Sequence, residues 1–244
     1  TEDMAHLIAD DSRFGQYASG AKLSTDQAPI LINNDVESIA EQLEPIPGKP
    51  LHFTLKTRME NAIHNEIQPF FEIHDSRYMM YWLALSEDSY QGLLNDLTKA
   101  EQERQALEAR TVDKVQPGEQ QPETDHKMET DRSNTGNTND CFWRDASNGH
   151  YFSYLMQTNG EENLSLRLKY WGVGEWKSHE FDILIDDVLV KSVNNTGKYR
   201  ISEFKYEVYE IPSELLKGKT EVRVKFVAKP NKQIGEIYEV RLIK

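Results

Sequence analysis

Cysteine is almost absent: Cys141 stands alone in a chain of 244 residues. That excludes an internal disulfide and any zinc site built on several thiolates. Long apolar runs are missing too. The longest, Tyr78 to Leu85, has eight residues, against the ~20 that a membrane-spanning helix requires. Positive charge is in deficit, with 28 Lys+Arg facing 41 Asp+Glu for a net charge of −13. Phosphate recognition needs clustered cations, so nucleic-acid binding is disfavoured, as is docking on anionic membrane. The seven histidines form no His-x-His or His-Glu-x-x-His pattern, so no metal ligand set is read from them. Gly172-Val173-Gly174 follows a strand but opens no helix, which removes the phosphate-loop reading. No signal-peptide pattern precedes Thr1-Glu2-Asp3-Met4, and the chain reads as a mature protein or a piece of a larger one.

What is present is a globular composition, 38% hydrophobic and 10% aromatic, enough for one or two packed domains. The last hundred residues alternate clearly. Leu164, Leu166, Leu168 and Tyr170 fall on one face, with Ser165, Arg167 and Lys169 between them, as in a half-buried strand. Phe181 to Ile185 runs through Asp186-Asp187 into Val188-Leu189-Val190, the pattern of a hairpin. Val222, Val224 and Phe226 alternate with Arg223 and Lys225, and Ile237 to Leu242 closes the series. Pro212 to Leu216, with Gly218 beyond, predicts one helical turn. Short strands separated by polar turns predict an antiparallel sandwich or jelly roll over 141–244.

Residues 1–85 carry similar but less regular signals, with strands expected at Leu51 to Lys56 and over Phe70 to Leu85. They read as a first β-sandwich, either complete or short of its opening strands. Ser86 can cap a helix over 86–110, with Glu87 and Asp88 in its first turn. Leu93, Leu97, Ala100 and Leu107 form one face of that helix. Residues 111–140 have only Val112, Val115 and Met128 as apolar side chains, with seven acidic residues against three basic ones. Such a segment buries too little surface to offset its ordering entropy, and a polar linker or surface excursion is predicted. The fold class is therefore mainly β, two antiparallel sandwich or jelly-roll domains joined by a helix and a polar linker.

Asp10-Asp11-Ser12-Arg13 and His74-Asp75-Ser76-Arg77 each bring acid, hydroxyl and base together. Turn and capping chemistry explains them better than acid–base catalysis. His64 and Glu66 share a strand face, a weak metal signal. Cys141 beside Phe142 and Trp143 reads as a buried small hydrophobe. The aromatics say more. Trp143, Tyr151, Phe152, Trp171 and Trp176 lie near loops of the second sandwich, among Arg144, Asp145, Asn148, His150 and Glu175. A flat ring flanked by polar groups can hold a sugar by stacking and hydrogen bonding. The competing reading places most of these rings in the core. Trp143, Arg144, Asp145, His150, Trp171, Glu175 and Trp176 are the carbohydrate-binding candidates. No catalytic or metal residue is assigned.

Leu7-Ile-Ala-Asp-Asp-Ser-Arg-Phe-Gly-Gln-Tyr-Ala-Ser-Gly20 and Pro69-Phe-Phe-Glu-Ile-His-Asp-Ser-Arg-Tyr-Met-Met-Tyr-Trp82 resemble segments of β-L-arabinofuranosidase-like glycoside hydrolases (family 127 and its relatives). Cys141 to Lys244 is similar to the terminal jelly roll of that family. The resemblance places both stretches after the catalytic region. Family members carry a cysteine nucleophile among zinc-bound thiolates and a glutamate on a helical barrel, which this sequence lacks. The resemblance thus implies a non-catalytic accessory region that braces a catalytic barrel of the same parent, with shaping of its cleft as an additional role. The parent would act on arabinose-containing plant glycans in a bacterial periplasm or outside the cell. Zinc is expected only in the catalytic domain, and no cofactor in this chain. The alternative is a carbohydrate-binding module that grips a plant glycan through its loop aromatics.

Overall fold

The computed structural model describes residues 30–32, 42–55, 66–67, 69–72, 83–138, 140–172 and 178–244. The chain is mainly β and divides into two compact units, 1–102 and 103–244. In the first, β1 (Ile30–Ile32) pairs in parallel with β5 (Leu83–Leu85). Strands β2 (Leu43–Pro45), β3 (Phe53–Leu55) and β4 (Glu66–Ile67) form a small antiparallel sheet. The strand expected at Leu51 to Lys56 is β3. Part of the long strand expected from Phe70 is replaced by a 3-10 turn at Phe70–Glu72. Both acid–hydroxyl–base segments, His64, and most of the Tyr78 to Leu85 run lie outside the described residues.

Helix α1 (Glu87–Arg110) begins where Ser86 predicts it. The Ser86 hydroxyl oxygen accepts the Ser89 N–H at 3.2 Å, satisfying one of the orphan donors of the first turn. Its expected apolar face is thinly covered, with Leu97 still 40% exposed. The helix passes into β6 (Thr111–Val115) with no residue between them.

Residues 111–140 are not a linker. They supply β6, helix α2 (Gln120–Asp125), β7 (Glu129–Thr130) and β8 (Asn134–Thr138) to the second unit. β6 pairs antiparallel with the last strand, β16 (Ile237–Ile243), and β8 pairs with β9 (Cys141–Asp145). The stretch needs little apolar surface of its own because backbone ladders and one buried ion pair hold it. Glu123 of α2 receives the Arg144 guanidinium at 2.6 and 2.5 Å, the Gly118 N–H at 2.8 Å and the Tyr154 hydroxyl at 2.9 Å.

The remaining strands are β10 (Tyr151–Gln157), β11 (Ser165–Trp171), β12 (Glu180–Ile185), β13 (Val188–Asn194), β14 (Phe204–Glu210) and β15 (Glu221–Ala228). They build two antiparallel sheets. One runs β13-β12-β15-β10-β7, and the other β14-β11-β16-β9-β8 with β6 added beside β16. β6 and β9 follow one another along β16. Where one gives way to the other, Gln116 Nε2 donates to the carbonyls of Phe142 and Tyr238, so neither acceptor is stranded. The β12–β13 hairpin turns on Asp186 and Asp187, both at positive φ, the backbone of a two-residue turn matched to strand twist. The single helical turn expected after Pro212 is a 3-10 turn at Ser213–Leu215.

Alternation puts the core between the sheets. Leu166, Leu168 and Tyr170 of β11 meet Phe181 and Ile183 of β12 and Val224 and Phe226 of β15 in one buried cluster. Phe226 lies 5.2 Å from Phe152 and 6.4 Å from Phe181, centroid to centroid. The result is a β-sandwich of 6-on-5 strands whose inner faces share one hydrophobic cluster and whose outer faces are free to differ.

Candidate functional site

The outer face of the six-stranded sheet carries an unusual load of rings. Directly paired residues share a face, and the register sets Trp171 opposite Phe204, Lys169 opposite Tyr206, and Arg167 opposite Val208. On the other flank of β11, Lys169 faces Glu239 and Arg167 faces Arg241. Trp171 and Phe204 meet edge to face at 4.8 Å, and Phe204 meets Tyr238 likewise at 5.2 Å. Tyr238 reaches this row through an irregularity in the ladder, which steps from Lys169–Glu239 to Tyr170–Ile237 and leaves Tyr238 without a partner residue opposite. Such a bulge re-aims a side chain. Its ring is 1% exposed and forms the floor beneath its neighbours. Burial raises the pKa of its hydroxyl, while a hydrogen bond with Thr138 acts in the opposite sense.

Cations interleave with the rings. Lys169 Nζ stands 3.7 Å from the Phe204 centroid, and Arg167 Cζ stands 3.9 Å from that of Tyr206. Arg167 also donates to Glu239 at 2.9 Å. Tyr206 and Val208 remain 49% and 53% exposed, whereas Trp171 and Phe204 are half-buried. At the far side Trp143 stands opposite Gly136. A Cβ on Gly136 would come within 2.3 Å of the indole, so only glycine lets the ring lie flat there. Its Nε1 donates to Thr138 Oγ1 at 3.2 Å.

The expected site residues therefore part company. Trp143 and Trp171 both belong to the outer sheet face, not to loops. Arg144 is buried in its ion pair with Glu123, and Asp145 is buried with Oδ1 accepting the Gly235 N–H at 2.9 Å. Both carry structural bonds inside the unit. Phe152 is core. His150 lies 2.9 Å from Asp131 through Nδ1, away from the ring row. Tyr151 lies under Lys225 Nζ at 4.5 Å on the opposite sheet. Glu175 and Trp176 fall outside the described residues. Cys141 is half-buried rather than buried, with Lys169 Nζ 3.8 Å from its sulfur. Sequence reading missed Lys169, Phe204, Tyr206 and Tyr238. Their signal was parity: Trp171 alternates in step with Lys169 and Arg167 on the side opposite the leucines.

Two smaller features flank this face. A narrow pocket at the strand ends is lined by Trp171, His179, Asn195 and Tyr199, with the Tyr170 and Tyr199 rings stacked at 6.2 Å. A polar groove of about 310 Å³ lies between edge strands β13 and β14, lined by Lys191, Asn194, Lys198 and Glu207. Among the described residues no cluster of three or more His, Cys, Asp or Glu is arranged to hold a metal. Among the same residues, no helix is long and apolar enough to cross a membrane.

A family model described as a family of unknown function (DUF6805) matches residues 106–243. The chain belongs to that family. A second model, a domain of unknown function (DUF4986), matches residues 1–84. The DUF6805 match begins before β6, in agreement with the structure and in place of the domain start expected at residue 141. No curated protein matches the chain. Solved structures similar to it include a family 35 carbohydrate-binding module from Clostridium thermocellum. That likeness has 10% identity and a TM-score of 0.37, covering 47% of this chain and 90% of that one. Another is a family 36 module of a multidomain xylanase from the hindgut metagenome of Trinervitermes trinervoides. It shows 14% identity and a TM-score of 0.37, covering 54% and 95%. A third is the C-terminal family 6 module of a laminarinase from Zobellia galactanivorans, at 11% identity and a TM-score of 0.34, covering 54% and 98%.

Proposed function

We propose that the DUF6805 unit, residues 103–244, is a carbohydrate-binding module, and that its ligand lies across the outer face of the six-stranded sheet. The observation that carries this reading is the ring row Trp171–Phe204–Tyr238, extended by Tyr206 and interleaved with Lys169 and Arg167. Tyr238 packs as the floor of the row, while Tyr206 and the half-buried Trp171 and Phe204 leave aromatic surface open to solvent. Exposed aromatic surface bordered by charged groups is what sugar recognition requires: a flat apolar face for the ring's C–H groups and donors for its hydroxyls. Of the candidates read from sequence, Trp171 and Trp143 belong to this site, and Arg144 and Asp145 are withdrawn from it.

In this reading the chain is a non-catalytic part of a secreted or periplasmic glycan-degrading enzyme. Its partners are a plant glycan and a catalytic domain of the same parent, and it holds no cofactor of its own. A bracing role against that domain is the second reading. It is favoured by Val208 and Ile201, which are 53% and 65% exposed and offer apolar surface with no hydrogen-bonding capacity in their side chains.

Calorimetric titration of the chain with arabinan, pectin and xylan tests the proposal. Saturable binding that weakens at least tenfold in Trp171→Ala and Tyr206→Ala is expected. Absence of binding to every glycan in the set overturns the binding reading and leaves the bracing one.

A further inference from the structure

Among the described residues, the cations Arg167, Lys169, Arg241 and Lys114 stand on the ring face of a protein of net charge −13. Glu239 and Glu108 pair with three of them. These two carboxylates are fully committed. Glu239 Oε1 accepts from Arg167 Nη1 at 2.9 Å and Arg241 Nε at 3.2 Å, and its Oε2 accepts from Arg241 Nη2 at 2.8 Å. Glu108 takes Arg241 Nη1 at 2.9 Å and Lys114 at 3.1 Å. Two guanidiniums, whose forks suit a carboxylate geometrically, thus neutralise Glu239 and Glu108 between them.

Lys169 is passed over. It stands directly across from Glu239, yet its Nζ lies over the Phe204 ring and beside the Cys141 sulfur. Among the described residues no carboxylate engages it. An ammonium has three donors and no acceptor, and neither a ring face nor a thiol satisfies them as an anionic oxygen does. The cation is held at the centre of the ring row, between Trp171, Tyr206 and Tyr238, where a stacked sugar would lie.

Resting on the glycan-binding reading above, we propose that this face selects acidic glycans, and that the Lys169 ammonium receives the carboxylate of a uronic acid residue. The long-range field of the acidic chain opposes any polyanion. Selection therefore acts at contact, within the Debye length of ~8 Å at physiological salt, and not through steering.

The test compares an oligogalacturonate with its fully methyl-esterified form, which keeps the sugar and removes the charge, alongside neutral arabinan. Titrations use the full chain, Lys169→Gln and Lys169→Arg at about 0.15 M salt, a physiological ionic strength. We expect the acid to bind about tenfold more tightly than the ester, as one charge-assisted hydrogen bond gives. Lys169→Gln is expected to erase that difference, bringing the acid down to the level of the ester in the same variant, and Lys169→Arg to retain it. Thermal melting of each variant shows whether it is folded. Equal binding of acid and ester, or a preference that survives in folded Lys169→Gln, overturns this inference and leaves the glycan reading intact. Failure of all three glycans to bind overturns both.

Discussion

Arg144 of β9 closes on Glu123 of α2 with two hydrogen bonds of 2.6 and 2.5 Å, across 21 residues of sequence. Both side chains are under 10% exposed. This pair, with Tyr154 and the Gly118 N–H attached, fastens the polar segment after α1 to the sandwich. Removing one member strands a buried charge, so Arg144→Met is expected to cost about 3–5 kcal/mol. The double variant Glu123→Leu/Arg144→Met should recover much of that loss. Urea denaturation of the three proteins measures both, and equal losses in single and double variants would contradict the assignment.

Glu123 also gives the unit an acid limit. Burial alone would raise its pKa, but the hydrogen bonds from Arg144 and Gly118 outweigh burial and hold it below the usual glutamate value. A group with a depressed folded pKa contributes stability above its unfolded value and loses it as pH falls through the folded one. The stability difference between wild type and Glu123→Gln should therefore shrink as pH drops below about 4.5, the ordinary glutamate value. Urea midpoints taken from pH 6 down to pH 3 check this.

His126 gives the opposite limit. Its Nε2 lies 3.1 Å from Asp113 Oδ1 and its Nδ1 2.6 Å from the Pro122 carbonyl. The Asp113 bond raises its pKa above 6.5, against burial. Its contribution is complete below that ordinary value and disappears as pH rises through the elevated one. The stabilising effect of His126 over His126→Gln should fade on going from pH 6 to pH 8.5. An Asp113→Asn background should largely abolish that pH dependence.

Gly136 is the point at which the ring face is least tolerant. A methyl there meets the Trp143 indole at 2.3 Å, and overpacking of this kind costs about 1–3 kcal/mol. Gly136→Ala should lower the melting temperature and change the near-ultraviolet circular dichroism of Trp143. An unchanged spectrum would mean that the ring does not lie on the glycine.

Tyr206 and Phe204 should separate binding from folding. Tyr206 is half exposed, and Tyr206→Ala should weaken glycan binding while stability stays within about 0.5 kcal/mol. Phe204 is packed between Trp171 and Tyr238, and Phe204→Ala should cost about 2–3 kcal/mol as well as affinity. Paired calorimetry and denaturation distinguish the two.

The strands of the second unit were legible because a period of two is written directly in Leu164 to Tyr170, Phe181 to Ile185 and Val222 to Phe226. The polar segment 111–140 was not legible by the same rule. Its strands are held by backbone pairing with β16 and β9, which leaves no mark on side-chain hydropathy. Its anchor is a charge pair whose members are 21 residues apart. Trp171 and Trp143 could be picked out as aromatics beside polar residues. Arg144 and Asp145 were chosen by the same neighbourhood argument and proved to be internal: alternation turns Arg144 away from the face of Trp143, and Asp145, at the strand end, is buried on the Gly235 N–H. Lys169 was read as merely the polar side of β11, since a single strand does not reveal that β14 contributes Phe204 and Tyr206 beside it.

The passage from α1 into β6 without an intervening residue has one more consequence. β6 lies beside β16, and the Lys244 N–H donates to the Arg110 carbonyl at 2.9 Å. The unit is entered and left at one corner. A short Gly/Ser tether joining 110 to 244, with new termini opened at the Asp186-Asp187 turn, should yield a circular permutant that keeps both sheets. Circular dichroism and thermal melting of that permutant check whether the unit is a plug-in cassette, defined by its pairing and not by where its backbone is cut.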